Sequence, residues 1–360
     1  MDTEARLTAW FAEHIPDAGD LRVEGIDRIE MGHSAETLLL TVHWKDGDGD
    51  RRLDVCIRAR PAGPGLLEPY DLRRQFDVLR GLETTAVRAP RVWWIEPSDH
   101  ILGQEFYVME RLPGLVYERG VPAGLVADPD RIRRMCEGMV EQIAAIHSVD
   151  LHATGLEAIA DGRDYLDREI EHWASEIRRV QRGPLPALER LVEVVRQQQP
   201  DQGSQLTLVH GDPKPGNFAF EGSEVSAVFD WEMATIGDPM ADIGWAELVW
   251  PTPGSITSVP GAPSVDDFVA QWEELTGIAS HHRAWYRAFQ ALKMAVILLV
   301  GSYLVDAGHS DDVRLLESAY AVDPLTRTGL HELGIDEALE RGPLLPRKER
   351  IHEVKEALKQ

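Results

Sequence analysis

The segment Leu208–Phe218, "LVHGDPKPGNF", decides how this chain is read. A short apolar run ends in His-Gly-Asp, and a lysine and an asparagine follow at once, spaced by prolines. Pro213 and Pro215 each fix their own backbone φ, so Asp212, Lys214 and Asn217 are expected to project as a rigid fan. The acid suits proton acceptance and the lysine suits charge neutralisation. The amide oxygen suits a hard cation such as Mg²⁺, which takes oxygen ligands. Taken alone, the segment also reads as a turn, because Asp, Pro, Gly and Asn are what turns contain. Eighteen residues after Asp212, however, the apolar run "VSAVF" delivers Asp230 in "FDWE". A carboxylate at a strand end, aimed at an Asn-bearing loop, is a natural second metal ligand. Five fixed residues in H-G-D-x-K-x-x-N match by chance in roughly one window in millions.

The surrounding composition narrows the possibilities. The chain has 360 residues, 43% hydrophobic and 27% charged, enough for two core-bearing lobes. Its net charge of −24 argues against nucleic acid or an anionic membrane surface as a partner and permits a cationic small molecule. Cys56 and Cys136 sit in apolar segments and read as reduced buried thiols of a cytoplasmic protein. Residues 1–13 carry acids and no apolar core, so they do not read as a signal peptide. "FQALKMAVILLVGSYLV" (Phe289–Val305) is interrupted by Gln290 and Lys293 and reads as a buried core helix, not a membrane span.

The first third is strand-rich. "LRVEGIDRIE", "TLLLTVHW" and "RLDVCIRA" alternate, and "KDGDGDR" joins the last two as a hairpin. A helix at "YDLRRQFDVLRGLE" and strands at "RVWWIE" and "EFYVME" follow. Beyond "RLPG" the pattern turns helical. "DPDRIRRMCEGMVEQIAAIHSVD" opens with Asp128 as N-cap and Pro129 at the first helical position. Further helices are expected near 164–180, 185–198, 239–249, 264–276, 282–306 and 310–322, with short strands near 206–209, 217–220 and 225–229.

His210–Asp212, Asn217, Asp230–Glu232 and "GDPMADIGW" (Gly237–Trp245), in that order, resemble the aminoglycoside phosphotransferase and choline kinase-like family. The resemblance covers about residues 20–300, strongly in the second half and weakly in the first. It implies an α+β, two-lobe protein-kinase-like fold. Its N-lobe (1–112) is an antiparallel sheet with one main helix and an N-terminal helix, and its C-lobe (113–360) is mostly helical. It implies a transferase that moves the γ-phosphoryl group of ATP to a small-molecule hydroxyl. By the same resemblance Asp212 and Lys214 are catalytic, and Asn217 and Asp230 hold Mg²⁺. Asp238 follows Asp230 by only eight positions, which leaves no room for a protein kinase's activation loop. Asp238 reads as a helix N-cap before Pro239. Asp242 either braces the catalytic loop or is a second acid favoured by the helix dipole.

The resemblance places the nucleotide grip in the first lobe. Gly32, His33 and Ser34 of "EMGHSAETLLL" stand where a phosphate-covering loop belongs. "VCIR" puts Arg58 in the place of the usual phosphate-binding lysine, with Cys56 beside the adenine on the same strand face. Met109, Glu110 and Leu112 fall at the hinge between lobes. The helix position that usually supplies a glutamate carries Gln75, so either Gln75 or Asp71 is expected to partner Arg58. The acceptor is expected to be cationic, such as an aminoglycoside, choline or another amino-alcohol, with Asp164, Asp167, Glu169, Glu171 and Trp173 as a candidate acidic wall. The loop 251–264 reads as a lid or a connector. The alternatives are a kinase of a neutral hydroxylated metabolite, or a nucleotide-binding pseudokinase or scaffold, to which Gln75 points.

Overall fold

The computed structural model describes residues 2–29, 36–61, 63–160, 164–201, 205–340, 342–343, 352 and 356. Helix α1 (Thr3–His14) precedes strands β1 (Gly19–Ile29), β2 (Glu36–Asp46) and β3 (Gly49–Ala59), which form an antiparallel meander. After helix α2 (Leu72–Leu82), strands β4 (Val92–Glu96) and β5 (Phe106–Glu110) complete a five-stranded antiparallel sheet in the order β1-β2-β3-β5-β4.

Alternation along β5 explains how this sheet is used. Phe106 and Val108 pack with Leu7, Trp10 and Phe11 of α1 in one apolar cluster. Tyr107 joins the larger cluster that contains α2, and Met109 packs against it. Cys56 pairs across the ladder with Met109, and Arg58 with Tyr107, so these four share the face opposite α1. The N-terminal helix therefore seals one face, leaving the other for the site.

The chain continues through β6 (Leu115–Val116), α3 (Ala123–Val126), α4 (Pro129–His147), α5 (Tyr165–Val180) and α6 (Pro186–Gln197). Then come β7 (Thr207–Val209), β8 (Phe218–Glu221), β9 (Glu224–Val228), β10 (Thr235–Gly237), α7 (Met240–Val249), α8 (Val265–Thr276), α9 (Arg283–Asp306) and α10 (Val313–Glu332). The α4 start is as expected: the Asp128 carboxylate accepts from the Arg131 amide at 3.0 Å, with Pro129 inside the first turn. By length and composition α9 could cross a bilayer, yet most of it is buried against α5, α6, α7 and α10. It is a core helix.

Two features differ from the sequence expectation. Helix α10 runs ten residues beyond position 322, through Pro324. Proline removes one helical hydrogen bond, but Val322, Thr326 and Leu330 are buried and α10 lies along α9, which keeps the helix going. The loop 251–264 is neither lid nor slack connector. Ile256 and Thr257 are buried, the Ile256 amide donates to the Tyr117 carbonyl at 3.1 Å, and the Trp250 indole donates to Pro263 at 2.9 Å.

Candidate active site

Two short pairings assemble the site. Strands β7 and β10 pair antiparallel, Val209 opposite Thr235, which brings the His-Gly-Asp turn beside the segment after Asp230. Strands β8 and β9 form the hairpin between Asn217 and Phe229. At its open end the Phe229 amide donates to the Asn217 carbonyl at 2.8 Å, so Asp230 starts next to Asn217. The 215–217 segment is a single tight helical turn begun by Pro215.

Within the turn the polar groups converge. Lys214 Nζ donates to Asp212 Oδ2 at 2.9 Å. Asn217 Nδ2 donates to the same oxygen at 3.1 Å and to the Asp212 carbonyl at 2.7 Å. Both bonds use the amide nitrogen, which fixes the Asn217 side chain. Its Oδ1 is left without a hydrogen-bond donor among the described residues. Asp212 is buried, and its Oδ1 has no partner among the described residues. A buried, unsatisfied carboxylate oxygen is costly and marks a place meant for a donor. Burial alone would lower the pKa of Lys214; the carboxylates of Asp212 and Asp230 more than offset it and hold the ammonium charged.

Asp230 has φ +66° and ψ +62°, the left-handed region that non-glycine residues rarely enter. Such strain persists where surrounding structure dictates it. Here that structure includes His210. Its Nδ1 accepts from the Asp212 amide at 3.2 Å, which leaves Nε2 protonated to donate to the Phe229 carbonyl at 2.8 Å. One imidazole thus ties the residue before Asp230 to the turn bearing Asp212.

Asp242 braces the turn from behind. Fully buried, it accepts the His210 amide on Oδ2 and the Gly211 amide on Oδ1, each at 2.7 Å. His147 of α4 bonds Oδ2 at 3.0 Å, and Trp272 of α8 donates to the other His147 nitrogen at 2.9 Å. Because an indole only donates, His147 carries its proton on Nε2, facing Asp242. Burial pushes the Asp242 carboxyl up, but the hydrogen bonds from His147 and from the His210 amide hold it below its ordinary value. Asp238 is also structural: it accepts the Met240 amide at 2.9 Å and the Tyr286 hydroxyl at 2.8 Å.

The expected partner of Arg58 requires correction. Gln75 accepts instead from the Tyr107 hydroxyl at 3.3 Å, and Asp71 caps α2 through the Arg74 amide at 2.9 Å. Arg58 donates to Asp230 Oδ1 at 3.2 Å and lies 3.6 Å from Glu232 Oε2. The long guanidinium crosses to the acids of "DWE" because the helix offers it no carboxylate. Cys56 is buried, which pushes its thiol up to about 11 and keeps it an apolar wall. Met109 lies opposite it. The Glu110 amide is taken by the Arg91 carbonyl at 2.8 Å, whereas the Leu112 amide has no partner among the described residues. Gly32, His33 and Ser34 lie outside the described residues.

A cavity of about 510 Å³ is walled by α5, the start of α2, the 232–235 segment and Lys293 of α9; its link to the turn is Lys293, whose ammonium donates to the Gly211 carbonyl. Glu169, Glu171 and Trp173 line it. Asp164 instead caps α5 through the Leu166 and Asp167 amides, and Asp167 bonds Gln199 at 2.9 Å. Arg74, Arg168 and His172 share the same wall, so it is mixed in charge.

Comparison with known proteins agrees with this geometry. A sequence model described as the phosphotransferase enzyme family matches residues 29–289. A candidate aminoglycoside phosphotransferase of Ralstonia eutropha JMP134 is 25% identical and superposes with a TM-score of 0.74 over 92% of this chain and 98% of its own. A thermostable aminoglycoside phosphotransferase crystallised with ADP and hygromycin B shares the fold, at 16% identity and TM-score 0.54 over 90% of this chain and 98% of its own. Mouse acyl-CoA dehydrogenase family member 10 is 32% identical over 262 residues, covering 69% of this chain and 24% of that protein. The chain spans 24 to 42% of the length of the curated relatives it matches, so their names describe much larger proteins. With the family model covering most of its length and the polar turn assembled on the same fold, the chain belongs to the phosphotransferase enzyme family.

Proposed function

We propose that this chain transfers the γ-phosphoryl group of Mg-ATP to a hydroxyl group of a small molecule. The observation that carries this reading is the hydrogen-bonded cluster of Asp212, Lys214 and Asn217, set against Asp230 by the bond between Phe229 and Asn217. Asp212 orients the acceptor hydroxyl and takes its proton on the oxygen that has no partner among the described residues. Lys214 steadies the phosphoryl group in transit. Asn217 Oδ1 and the Asp230 carboxylate are oxygen donors of the kind Mg²⁺ accepts, alongside phosphate oxygens and water. Bound there, Mg²⁺ supplies neutralisation of phosphate charge. Arg58 leaves Asp230 for the phosphates, Cys56 and Met109 flank the adenine, and the Leu112 amide and Glu110 carbonyl meet its edge. Positioning and electrostatics supply most of the catalysis, which suits a stiff loop.

The cavity that Lys293 and the 232–235 segment share with the turn's surroundings is the acceptor site in this reading. A related fold holds hygromycin B, which supports an acceptor of small-molecule size. ADP release from ATP, screened with amino-sugars, amino-alcohols and hydroxylated metabolites, is expected to depend on both Mg²⁺ and one acceptor class. Release that ignores Mg²⁺, or none at all, contradicts the reading. The bond between Arg58 and Asp230 favours a second one, a nucleotide-binding scaffold held closed by its own ion pair. Mg²⁺-dependent turnover excludes it.

A further inference from the structure

Lys293 takes no part in the chemistry described above, yet it is one of the most unusual groups in the molecule. It sits within α9, is 3% exposed, and its ammonium lies 5.8 Å from the Trp173 ring and 5.2 Å from the Trp245 ring. Among the described residues its one hydrogen bond is to the Gly211 carbonyl, at 3.1 Å. No carboxylate ion-pairs with it among the described residues, and its remaining donors have no partner there. Burying an unpaired ammonium is costly, and the two indole faces recover only part of that cost. Burial accordingly pushes the Lys293 pKa down, with Glu169, Asp242 and Asp212 opposing from a distance.

The same side chain lines the acceptor cavity. The acids around it are already engaged. Glu171 pairs with Arg178 and Arg196, Glu232 with Arg58, and Asp71 caps α2. Glu68 accepts the Gly65 and Tyr70 amides. Glu169 accepts from the Trp173 indole at 3.4 Å and lies 3.6 Å from Arg168. Of the other cations on the wall, Arg74 donates to the Ala234 carbonyl and Arg168 lies beside Glu169, so among the described residues Lys293 is the fully buried cation of the cavity and has no paired carboxylate.

We propose that the acceptor presents an anionic oxygen, in the simplest case a carboxylate, to the ammonium of Lys293, which makes this residue specificity-determining. The inference rests on the cavity being the acceptor site. Because Lys293 also grips the peptide next to Asp212, an anion bound there holds its hydroxyl within reach of the base. The substrate class is then a hydroxy acid, not the amino-alcohol that the net charge of −24 suggested.

The test compares matched acceptors in Mg-ATP-dependent ADP release: glycerate against glycerol, and 3-hydroxybutyrate against 1,3-butanediol, with kanamycin and choline as cationic acceptors. Thermal shift with the same compounds reports binding independently. The wild type is expected to favour the acids by about tenfold or more in kcat/KM, a difference of about 1.4 kcal/mol. In Lys293→Met the ratio of acid to neutral acceptor falls toward one, and in Lys293→Arg part of it survives. The inference is overturned if neutral or cationic acceptors are preferred, or if no acid either reacts or raises the melting temperature. It is also overturned if Lys293→Met lowers every acceptor by the same factor, the mark of a merely structural lysine. Failure of Mg-ATP to bind would instead overturn the reading of the site itself.

Discussion

Asp212 shows how much chemistry one environment can assign to one carboxylate. One oxygen is held by Lys214 and Asn217, and the other is buried without a partner among the described residues. Asp212→Asn keeps the shape and removes the proposed base, so phosphoryl transfer is expected to fall by about 10²- to 10⁴-fold. ATP affinity, measured by calorimetry, should hold. Arg58→Ala is expected to do the reverse, weakening Mg-ATP by about ten- to a hundredfold, the worth of a charge-assisted contact. Asp242 is a stability residue with a definite pH signature. Its folded carboxyl is held below the ordinary 3.8, so its contribution is complete above that value and is lost as pH falls below it. Asp242→Asn should cost about 3 kcal/mol at neutral pH. It should also flatten the acid limb of a denaturation series. The motif residues were legible in the sequence because each is a rare type at a fixed spacing. Glu232, His147 and Lys293 were not assigned these roles because their partners lie far away in sequence, and His210 was not because its bond to Phe229 forms only when the hairpin closes. Glu232 was quoted within "DWE" without a role, and Lys293 was read only as a break in an apolar run.

Elements carry the next level of control, and α7 shows it. Gly244 lets α7 approach α9 closely: a Cβ there would lie 2.7 Å from the Tyr286 carbonyl carbon and 2.8 Å from its oxygen. Main chain cannot rotate out of the way, so Gly244→Ala should destabilise by about 1–3 kcal/mol. The melting temperature should drop by a few degrees. Because Tyr286 also bonds Asp238 at the start of α7, turnover should fall with it. Strands β1–β5 and helices α2 and α4–α9 were legible because their apolar residues repeat at the strand or helix period. Strands β6 and β10 were not, being two and three residues long and defined by their partners β8 and β7. The end of α10 was hidden by Pro324, whose local cost is outweighed by packing along α9.

At the scale of the whole molecule, two sheet-borne surfaces meet a helical frame. Helix α1 covers the far face of the five-stranded sheet, and Arg58 reaches from the near face to the acids at the end of the β8–β9 hairpin. Sequence alone gave this architecture through family resemblance and the change from strand to helix period near residue 112. The contact between Arg58 and Asp230, 172 residues apart, was beyond it. The central claim is that Asn217 and Asp230 share one divalent ion, with Asp212 beside the phosphate that ion carries. A crystal grown with AMP-PNP and Mn²⁺, with the metal located by anomalous scattering, tests it most directly. The account predicts a single strong peak within metal–oxygen distance of Asn217 Oδ1 and Asp230, with Arg58 moved onto the phosphates. A nucleotide bound elsewhere, or a metal that touches neither residue, would contradict it.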